Sequence, residues 1–200
     1  MAAPHLSVVS PVYGSPGTLE ELRDRVAATA QRIGVSHELI LVDDRCPKGS
    51  WAVVERLATT HPDVVGVRLS RNFGQHPAIY AGLRLARGDW IVVMDCDLQD
   101  VPEEIERLYA AAQSGPDAVR GRRAVRRDSP FRRQASAGFY RLLTYLTGVR
   151  HSAEVGNFGI YGRKLVDALL SWDEDHRYFP AAVQWVGFTV ADVDVVHHAR

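Results

Sequence analysis

Four short apolar runs alternate with helical segments in the first half of the chain, and this alternation constrains the fold most strongly. Each run is apolar almost throughout and rich in β-branched residues, as expected of strands that are buried on both faces. The runs are Leu6–Val12, Glu38–Val42, Val64–Leu69 and Trp90–Met94. The resulting order, β-α-β-α-β-α-β, predicts an α/β fold with a mostly parallel sheet and helices on both faces.

The segments between the strands carry helix signals of their own. Thr18–Ile33 has apolar residues at three- and four-residue spacing, Thr18 and Glu21 fit the capping-box pattern, and Gly34 ends the segment. The other predicted segments are helices at Trp51–His61, Ala78–Ala86, Phe131–Leu146 and Arg163–Leu170, and strands at Val155–Tyr161 and Val190–Val196. A chain of 200 residues, 46% of them hydrophobic, can form the core of a single domain.

Acidic residues directly follow two of the predicted strands. Asp43 and Asp44 end the second strand, and Asp95-Cys96-Asp97 ends the fourth. Ligands of parallel sheets bind beyond the carboxyl ends of the strands, so both groups are expected to face one crevice. Asp95 and Asp97 could converge on Mg²⁺ or Mn²⁺, which prefer oxygen ligands, or could belong to a solvated turn. Asp43 and Asp44 could accept hydrogen bonds from a base or ribose, or could be exposed turn acids.

A basic stretch is the only sharp change of composition along the chain. Between Arg120 and Arg133 there are seven arginines and one acid, Asp128. We interpret this stretch as a mobile loop within one domain, which either binds phosphate or is simply solvated. Over the whole chain, 24 basic side chains balance 24 acidic ones, so the net charge does not indicate a nucleic-acid partner.

The sequence lacks the motifs that are typical of several other classes of protein. No GxGxxG follows the first strand, which argues against a dinucleotide cofactor, and no GxxxxGK[ST] indicates a P-loop. Cys46 and Cys96 have no paired spacing, so a reducing cytoplasmic setting fits better than a disulfide framework or a zinc site. The first ten residues do not fit a signal peptide, and no apolar run approaches the about 18 residues of a membrane span.

Four blocks of the chain occur in the order seen in family-2 glycosyltransferases. They are Ser7–Tyr13, Leu41–Asp44, Ser70–Gly74 and Met94–Glu103. The chain most resembles the dolichol- or polyprenyl-phosphate sugar synthase branch, over nearly its whole length, and the string Asp-Cys-Asp-Leu-Gln-Asp-Val-Pro-Glu is the most specific element. The resemblance implies a GT-A-like, Rossmann-related fold. It also implies inverting transfer of a sugar from a nucleoside-diphosphate donor, UDP- or GDP-linked.

The resemblance implies roles for individual residues. Asp95 and Asp97 would be the catalytic, metal-binding pair, with Gln99 as a further ligand. The residues implied at the nucleotide are Pro11, Tyr13, Asp43, Asp44, Arg71 and Asp95. The residues implied near the phosphates or the acceptor are Arg123, Arg132, Ser136 and Asn157. Arginine suits a phosphate site because its planar guanidinium matches the phosphate oxygens.

The chain departs from the pattern of that branch near the implied acceptor site. Asn157 stands where an acid is common, and Gly159 stands where an arginine is common. A hydroxyl acceptor needs a general base, which Asn157 cannot supply, whereas a phosphate acceptor is already ionised. The departure therefore leans toward a phosphate acceptor, or toward a base elsewhere. His197 and His198 could approach the metal, although surface histidines are more often inert.

We therefore predict that residues 1–200 are the catalytic domain of a metal-dependent glycosyltransferase, acting on polyprenyl phosphate at the cytoplasmic face of the membrane. Relatives continue further, so we expect the chain to be truncated at its C-terminal end and to lack any membrane region. Phe131–Leu146 could lie on an anionic bilayer or pack on the sheet. Two alternatives stay open: a sugar-nucleotidyltransferase, which would release pyrophosphate, and a non-catalytic module that binds nucleotide sugars. No linear motif separates the sugars or bases, and none indicates an oligomeric state.

Overall fold

Seven strands of the described chain form one mixed sheet. The computed structural model describes residues 4–123, 155–172 and 178–198. The strands are β1 (Leu6–Val12), β2 (His37–Asp43), β3 (Val64–Arg68), β4 (Trp90–Val93), β5 (Ala118–Arg123), β6 (Val155–Gly162) and β7 (Val190–Val195). Their order is β3-β2-β1-β4-β6-β5-β7, and β6 runs antiparallel to both of its neighbours, while the other pairs are parallel.

Six α-helices of the described residues cover both faces of this sheet. They are α1 (Leu19–Ile33), α2 (Ser50–Thr60), α3 (Gln75–Leu85), α4 (Glu104–Ala112), α5 (Arg163–Leu170) and α6 (Phe179–Trp185), and a 3₁₀ turn at Pro16–Thr18 precedes α1. Helices α1, α2 and α4 pack on one face, and α3, α5 and α6 pack on the other. The predicted α/β architecture, with helices on both faces of a mostly parallel sheet, is confirmed.

The central strands are largely apolar because each lies between two helical layers. In β1, Val8 and Val12 pack into the cluster beneath α1, whereas Val9 packs into the cluster beneath α3. Successive side chains of a strand point to opposite faces, so a strand covered on both sides needs apolar residues at consecutive positions. All seven residues of β1 are buried accordingly.

Helix α3 lies unusually close to the sheet, and Gly82 permits this approach. A Cβ atom at position 82 would come within 2.4 Å of Val9 Cγ1 and 3.2 Å of Val42 Cγ2. At its start, Gln75 of α3 lies beside the residues at the carboxyl ends of β1, β2 and β4. This placement brings the first residues of α3 to the edge of the sheet where ligands of α/β folds bind.

Two local predictions are wrong. Thr18 does not cap α1, because it is helical itself, and its hydroxyl donates to the carbonyl oxygens of Ser15 and Cys96 at 3.0 and 2.5 Å. The basic stretch does not begin as a loop, since β5 continues to Arg123. The remaining predicted elements of the described chain agree with the structure to within a few residues, and α4 and α6 were not predicted. The helix predicted at Phe131–Leu146 lies outside the described residues.

Candidate active site

A cleft of about 290 Å³ opens at the carboxyl ends of β1, β2 and β4. Its walls come from the loops that follow these strands, from the loop before α3, and from the first residue of α3. Five residues that the sequence implied at the donor or metal line this cleft, namely Pro11, Tyr13, Asp44, Asp95 and Asp97. The expected convergence of both acidic groups on one crevice is therefore observed for three of the four carboxylates.

The loop after β4 holds Asp95 and Asp97 on the wall of the cleft. The backbone N–H of Asp95 donates to Asp100 Oδ2 at 3.2 Å, and that of Gln99 donates to Asp97 Oδ1 at 3.1 Å. Leu98 has a φ of 63°, a left-handed conformation that costs about 1–3 kcal/mol for such a residue. The hydrogen bonds offset this strain and maintain a tight turn in which both carboxylates reach the cleft.

Asp44 is buried, and its carboxylate binds the loop that leads into α3. Its side chain accepts hydrogen bonds from the backbone N–H of Phe73 at 2.7 Å and of Gly74 at 2.8 Å, one on each oxygen. Gly74 has a φ of 96°, which favours glycine. The alternative interpretation of Asp44 as an exposed turn acid is wrong, because the residue is only 3% exposed. Its main contacts are with the protein backbone.

Gln75, the first residue of α3, connects that loop to the acidic pair. Its side-chain Nε2 donates to Asp95 Oδ1 at 2.6 Å, and both residues line the cleft. Sequence reasoning did not single out Gln75. Its position was nevertheless a signal, because it begins a helix directly after Ser70–Gly74, and that block follows a strand whose carboxyl end lies at the same edge of the sheet.

Asp43 is fully buried and does not line the cleft. Its Oδ1 accepts the backbone N–H of Cys46 at 3.2 Å, and the guanidinium of Arg68 lies 3.6 Å from Oδ2. Burial raises the pKa of the Asp43 carboxyl, although the Cys46 hydrogen bond and the charge of Arg68 oppose that shift. Within the described residues, Oδ2 accepts no hydrogen bond. The exposed-turn alternative is wrong for Asp43 as well.

The rim of the cleft carries two exposed aromatic rings. Tyr13 is 54% exposed and lines the cleft. Phe73 is 42% exposed, and the guanidinium of Arg71 lies 4.4 Å above the centre of its ring. Arg71 thus lies against Phe73, and neither of these two residues lines the cleft itself.

Two buried cysteines support the loop after β1. The backbone N–H of Gly14 donates to Cys46 Sγ at 3.1 Å, and that of Lys48 donates to the same sulfur at 3.4 Å. Burial opposes ionisation of Cys46, but the hydrogen bonds donated to its sulfur lower the pKa of this thiol overall. Burial raises the pKa of Cys96 to about 11. Cys96 is buried in the core, and neither cysteine forms a disulfide.

The segment after β7 packs against the loop that carries the acidic pair. His197 and Asp100 form an isolated antiparallel bridge, His197 Nε2 lies 3.7 Å from Asp100 Oδ1, and the backbone N–H of His198 donates to the Gln99 carbonyl at 2.9 Å. His197 therefore contacts the residue that anchors the backbone of Asp95. Neither histidine, nor Gln99, lines the cleft.

The residues predicted near the phosphates or the acceptor are only partly described. Arg123 ends β5 opposite Val195, but its side chain is not described. Arg132 and Ser136 lie wholly outside the described residues. Asn157 is half-buried in β6, away from the cleft lining, and its carbonyl accepts the Tyr161 hydroxyl at 3.2 Å. Two other arginines of the basic stretch form ion pairs with acids of β7, Arg120 with Asp192 at 2.8 Å and Arg122 with Asp194 at 2.6 Å.

Solved structures share this fold. The mannosyltransferase PcManGT from Pyrobaculum calidifontis, in complex with GDP-Man and Mn²⁺, has a TM-score of 0.59 at 20% identity, over 98% of this chain and 56% of that one. S. aureus TarS 1-349, in complex with UDP-GlcNAc, has a TM-score of 0.61 at 15% identity, over 94% of this chain and 56% of that one. The fold is therefore the GT-A fold of glycosyltransferases, as the sequence predicted.

The sequence places the chain within one family of that fold. The model of "Glycosyl transferase family 2" matches residues 7–170, which include all four blocks of the sequence analysis. The chain belongs to glycosyl transferase family 2. It is 39% identical over 201 residues to an undecaprenyl-phosphate 4-deoxy-4-formamido-L-arabinose transferase of Shewanella sediminis, which confirms the resemblance to the polyprenyl-phosphate branch. The match covers 98% of this chain and 59% of that relative.

In the segments that the structure describes, no helix combines the length and the apolar character that crossing a bilayer would require.

Proposed function

We propose that this chain transfers a sugar from a nucleoside-diphosphate sugar to a polyprenyl phosphate, in a single inverting displacement that requires a divalent cation. The convergence of Asp95 and Asp97 on one cleft, beside Pro11 and Tyr13, carries the proposal. A metal-assisted donor site needs a pair of carboxylates beside a surface against which a nucleoside can pack, at the edge of the sheet where ligands bind. The names of the structural neighbours, which include complexes with GDP-Man and UDP-GlcNAc, support a donor of this class.

The donor atoms at the cleft fit Mg²⁺ or Mn²⁺. Hard cations prefer oxygen ligands and are commonly held by one or two carboxylates together with the phosphates of a substrate. Asp95 and Asp97 supply the carboxylates, whereas Gln99, which the resemblance implies as a further ligand, lies in the same loop but outside the cleft lining. Among the described residues, no cluster of three or more His, Cys, Asp and Glu side chains offers a rival site. When bound, the cation would neutralise the charge that develops on the departing diphosphate.

The nucleoside would lie against the loop after β1. The exposed ring of Tyr13 offers an apolar face for a base, and Pro11 lines the wall beside it. Asp43 would accept a base N–H on Oδ2, which would give this buried oxygen the hydrogen bond it lacks within the described chain. The base would reach it by displacing the Arg68 guanidinium, which is 41% exposed. Uracil and guanine both offer a suitable N–H group, so this contact is compatible with UDP- and GDP-linked donors.

The acceptor would be a phosphate of a polyprenyl lipid at the cytoplasmic face of the membrane. A phosphate oxygen is already ionised and attacks without a general base, which agrees with an asparagine at position 157. The name of the Shewanella sediminis relative specifies an undecaprenyl-phosphate acceptor and supports the same class here. Arg123, Arg132 and Ser136 would bind the phosphates, since guanidinium and hydroxyl groups donate hydrogen bonds to phosphate oxygens.

Calorimetric titration tests the donor site. UDP, GDP and dTDP are titrated into the chain with and without Mn²⁺, alongside Asp97→Ala and the control Asp24→Ala, which removes an exposed carboxylate on α1. We expect one nucleotide to bind at least about tenfold more tightly with Mn²⁺, since a bridging cation joins phosphate to carboxylate. Asp97→Ala should abolish this difference, and Asp24→Ala should retain it. A nucleotide affinity that changes neither with Mn²⁺ nor with Asp97→Ala would contradict the proposed metal site.

The reaction itself is tested with the donor whose nucleotide binds and with undecaprenyl phosphate in detergent. Formation of the glycosylated lipid phosphate together with nucleoside diphosphate supports the proposed transfer. Release of pyrophosphate would instead identify a sugar-nucleotidyltransferase. Binding of donor and metal without transfer to a lipid phosphate would favour a non-catalytic module.

A further inference from the structure

We propose that Asp44 and Gln75 are positioning residues, which together fix the carboxylate of Asp95 for metal binding. Asp44 holds the backbone before α3, and Gln75 extends from that backbone to Asp95. The inference rests on the proposed metal site at Asp95 and Asp97. It assigns Asp44 to the support of that site, where the resemblance had assigned it to the nucleotide.

The first link is the clamp between Asp44 and the loop before α3. Each carboxylate oxygen of Asp44 accepts one backbone N–H, from Phe73 at 2.7 Å and from Gly74 at 2.8 Å. Hydrogen bonds to an ionised acceptor are the strong ones in proteins, and here they bind two consecutive amides. The clamp fixes the backbone immediately before Gln75, the residue at which α3 begins.

The second link is the hydrogen bond from Gln75 to Asp95. Nε2 of Gln75 lies 2.6 Å from Oδ1 of Asp95, while the backbone N–H of Asp95 is bound by the buried carboxylate of Asp100 at 3.2 Å. Asp95 is therefore held at two points, its main chain and one side-chain oxygen. Together these contacts restrict both the position of the residue and the plane of its carboxylate.

The third step is the effect of this restriction on metal affinity. A ligating carboxylate that is already oriented loses less conformational freedom when the cation binds, and partners that orient metal ligands typically contribute about 10–100-fold to affinity. Gln75 itself is exposed, so its side chain contributes little to the stability of the fold. Loss of the Gln75 amide should thus affect the site far more than it affects folding.

The experiment is a titration of the full chain with Mn²⁺ alone, in which the electron paramagnetic resonance signal of free Mn²⁺ reports binding. The thermal unfolding of each metal-free variant is measured as well. Gln75→Ala should bind Mn²⁺ about tenfold more weakly, with an unchanged melting temperature. The matched control is Gln31→Ala, an exposed glutamine on α1, which should bind like the wild type. Gln75→Leu should bind as weakly as Gln75→Ala, because it keeps a side chain of similar size but removes the amide that donates to Asp95.

Asp44→Asn tests the first link. If Asp44 acts through Gln75, both changes break the same series of contacts. The double variant Asp44→Asn/Gln75→Ala should then have nearly the same Mn²⁺ affinity as the single variant that binds less tightly. Additive losses would overturn the proposed link from Asp44 to Gln75. Should Asp44→Asn fail to fold, Gln75→Ala and Gln75→Leu still decide the role of Gln75.

The remaining outcomes separate this inference from the proposed function. If the wild type binds Mn²⁺ and Asp97→Ala does not, but Gln75→Ala binds like the wild type, positioning by Gln75 is refuted and the metal site stands. Binding by Gln75→Leu at the wild-type affinity would show that the Gln75 amide is not required and would also refute positioning. If the wild type itself does not bind Mn²⁺, both the metal site and the positioning role are refuted.

Discussion

Replacing Gly82 by alanine tests whether the close approach of α3 to the sheet is as tight as the structure indicates. A Cβ atom there would come within 2.4 Å of Val9 Cγ1, a distance that real Cβ contacts essentially never show. Val9 cannot turn away easily, because it is fully buried and its β-branched side chain has few accessible rotamers. Its strand cannot shift either, since β1 is paired on both sides, with β2 and β4.

The expected change in stability is the difference between two opposing effects. Alanine in a helix interior is favoured over glycine by about 1 kcal/mol. Overpacking a well-packed core costs about 1–3 kcal/mol, and a contact this short against a braced strand belongs at the upper end. We therefore expect Gly82→Ala to lower the free energy of unfolding by about 2 kcal/mol, measured by urea unfolding followed by far-UV circular dichroism.

A second variant distinguishes the steric effect from other causes. Val9→Ala alone should cost about 2 kcal/mol through the cavity it leaves, but it removes the methyl group that Gly82→Ala would meet. The double variant should therefore be more stable than the sum of the two single changes predicts, by about 1 kcal/mol or more. The control is Arg84→Ala, which replaces an exposed side chain of the same helix. Additive effects, or a Gly82→Ala variant as stable as the wild type, would refute the reasoning.

Two further predictions follow from pKa shifts. Burial opposes ionisation of Asp63, but the pKa of its carboxyl is held below its usual value by Arg23 and His37. Arg23 donates hydrogen bonds to the carboxylate at 3.3 Å and contributes its positive charge, and His37 lies nearby. Asp63→Asn should thus lower the free energy of unfolding by about 1 kcal/mol above about pH 4. The deficit should vanish as pH falls through the folded-state pKa, as urea unfolding at several pH values can show, whereas a deficit independent of pH would contradict this. In the native protein at pH 8, iodoacetamide should label Cys46 before Cys96, because burial raises the pKa of Cys96 to about 11 and that of Cys46 is lowered. Peptide mass spectrometry measures both rates, and faster labelling of Cys96 would argue against it.

The sheet was predictable because its central strands are covered on both sides. Burial on two faces leaves a largely apolar run in the sequence, and β1 and β4 carry that signal clearly. Strand β5 was missed because its last four residues are Arg-Gly-Arg-Arg, a sequence typical of a loop. The charges of Arg120 and Arg122 are balanced by Asp192 and Asp194 of β7, 72 residues further along the chain. Local sequence windows contain no trace of such long-range pairing.

The site was predictable in outline for a related reason. Parallel strands bring their carboxyl ends to one edge, so acids that follow β2 and β4 had to lie near each other. Asp44, Asp95 and Asp97 do line one cleft. The partners of these acids were not predictable, because a carboxylate that binds a ligand and one that binds the backbone have the same residue type and the same position after a strand.

Asp43 and Asp44 show how adjacent identical residues come to differ. Successive side chains of an extended segment point to opposite sides, so two acids at the end of β2 cannot share one environment. Asp44 reaches the loop before α3, where both of its oxygens are occupied by amides. Asp43 is buried beside Cys46 and Arg68, and its Oδ2 accepts no hydrogen bond from the described residues. Asp43 thus keeps one buried oxygen that accepts no hydrogen bond from the described residues, whereas each oxygen of Asp44 already accepts a backbone amide that shapes the cleft. That asymmetry is why we assign the base to Asp43 and the support of the metal site to Asp44.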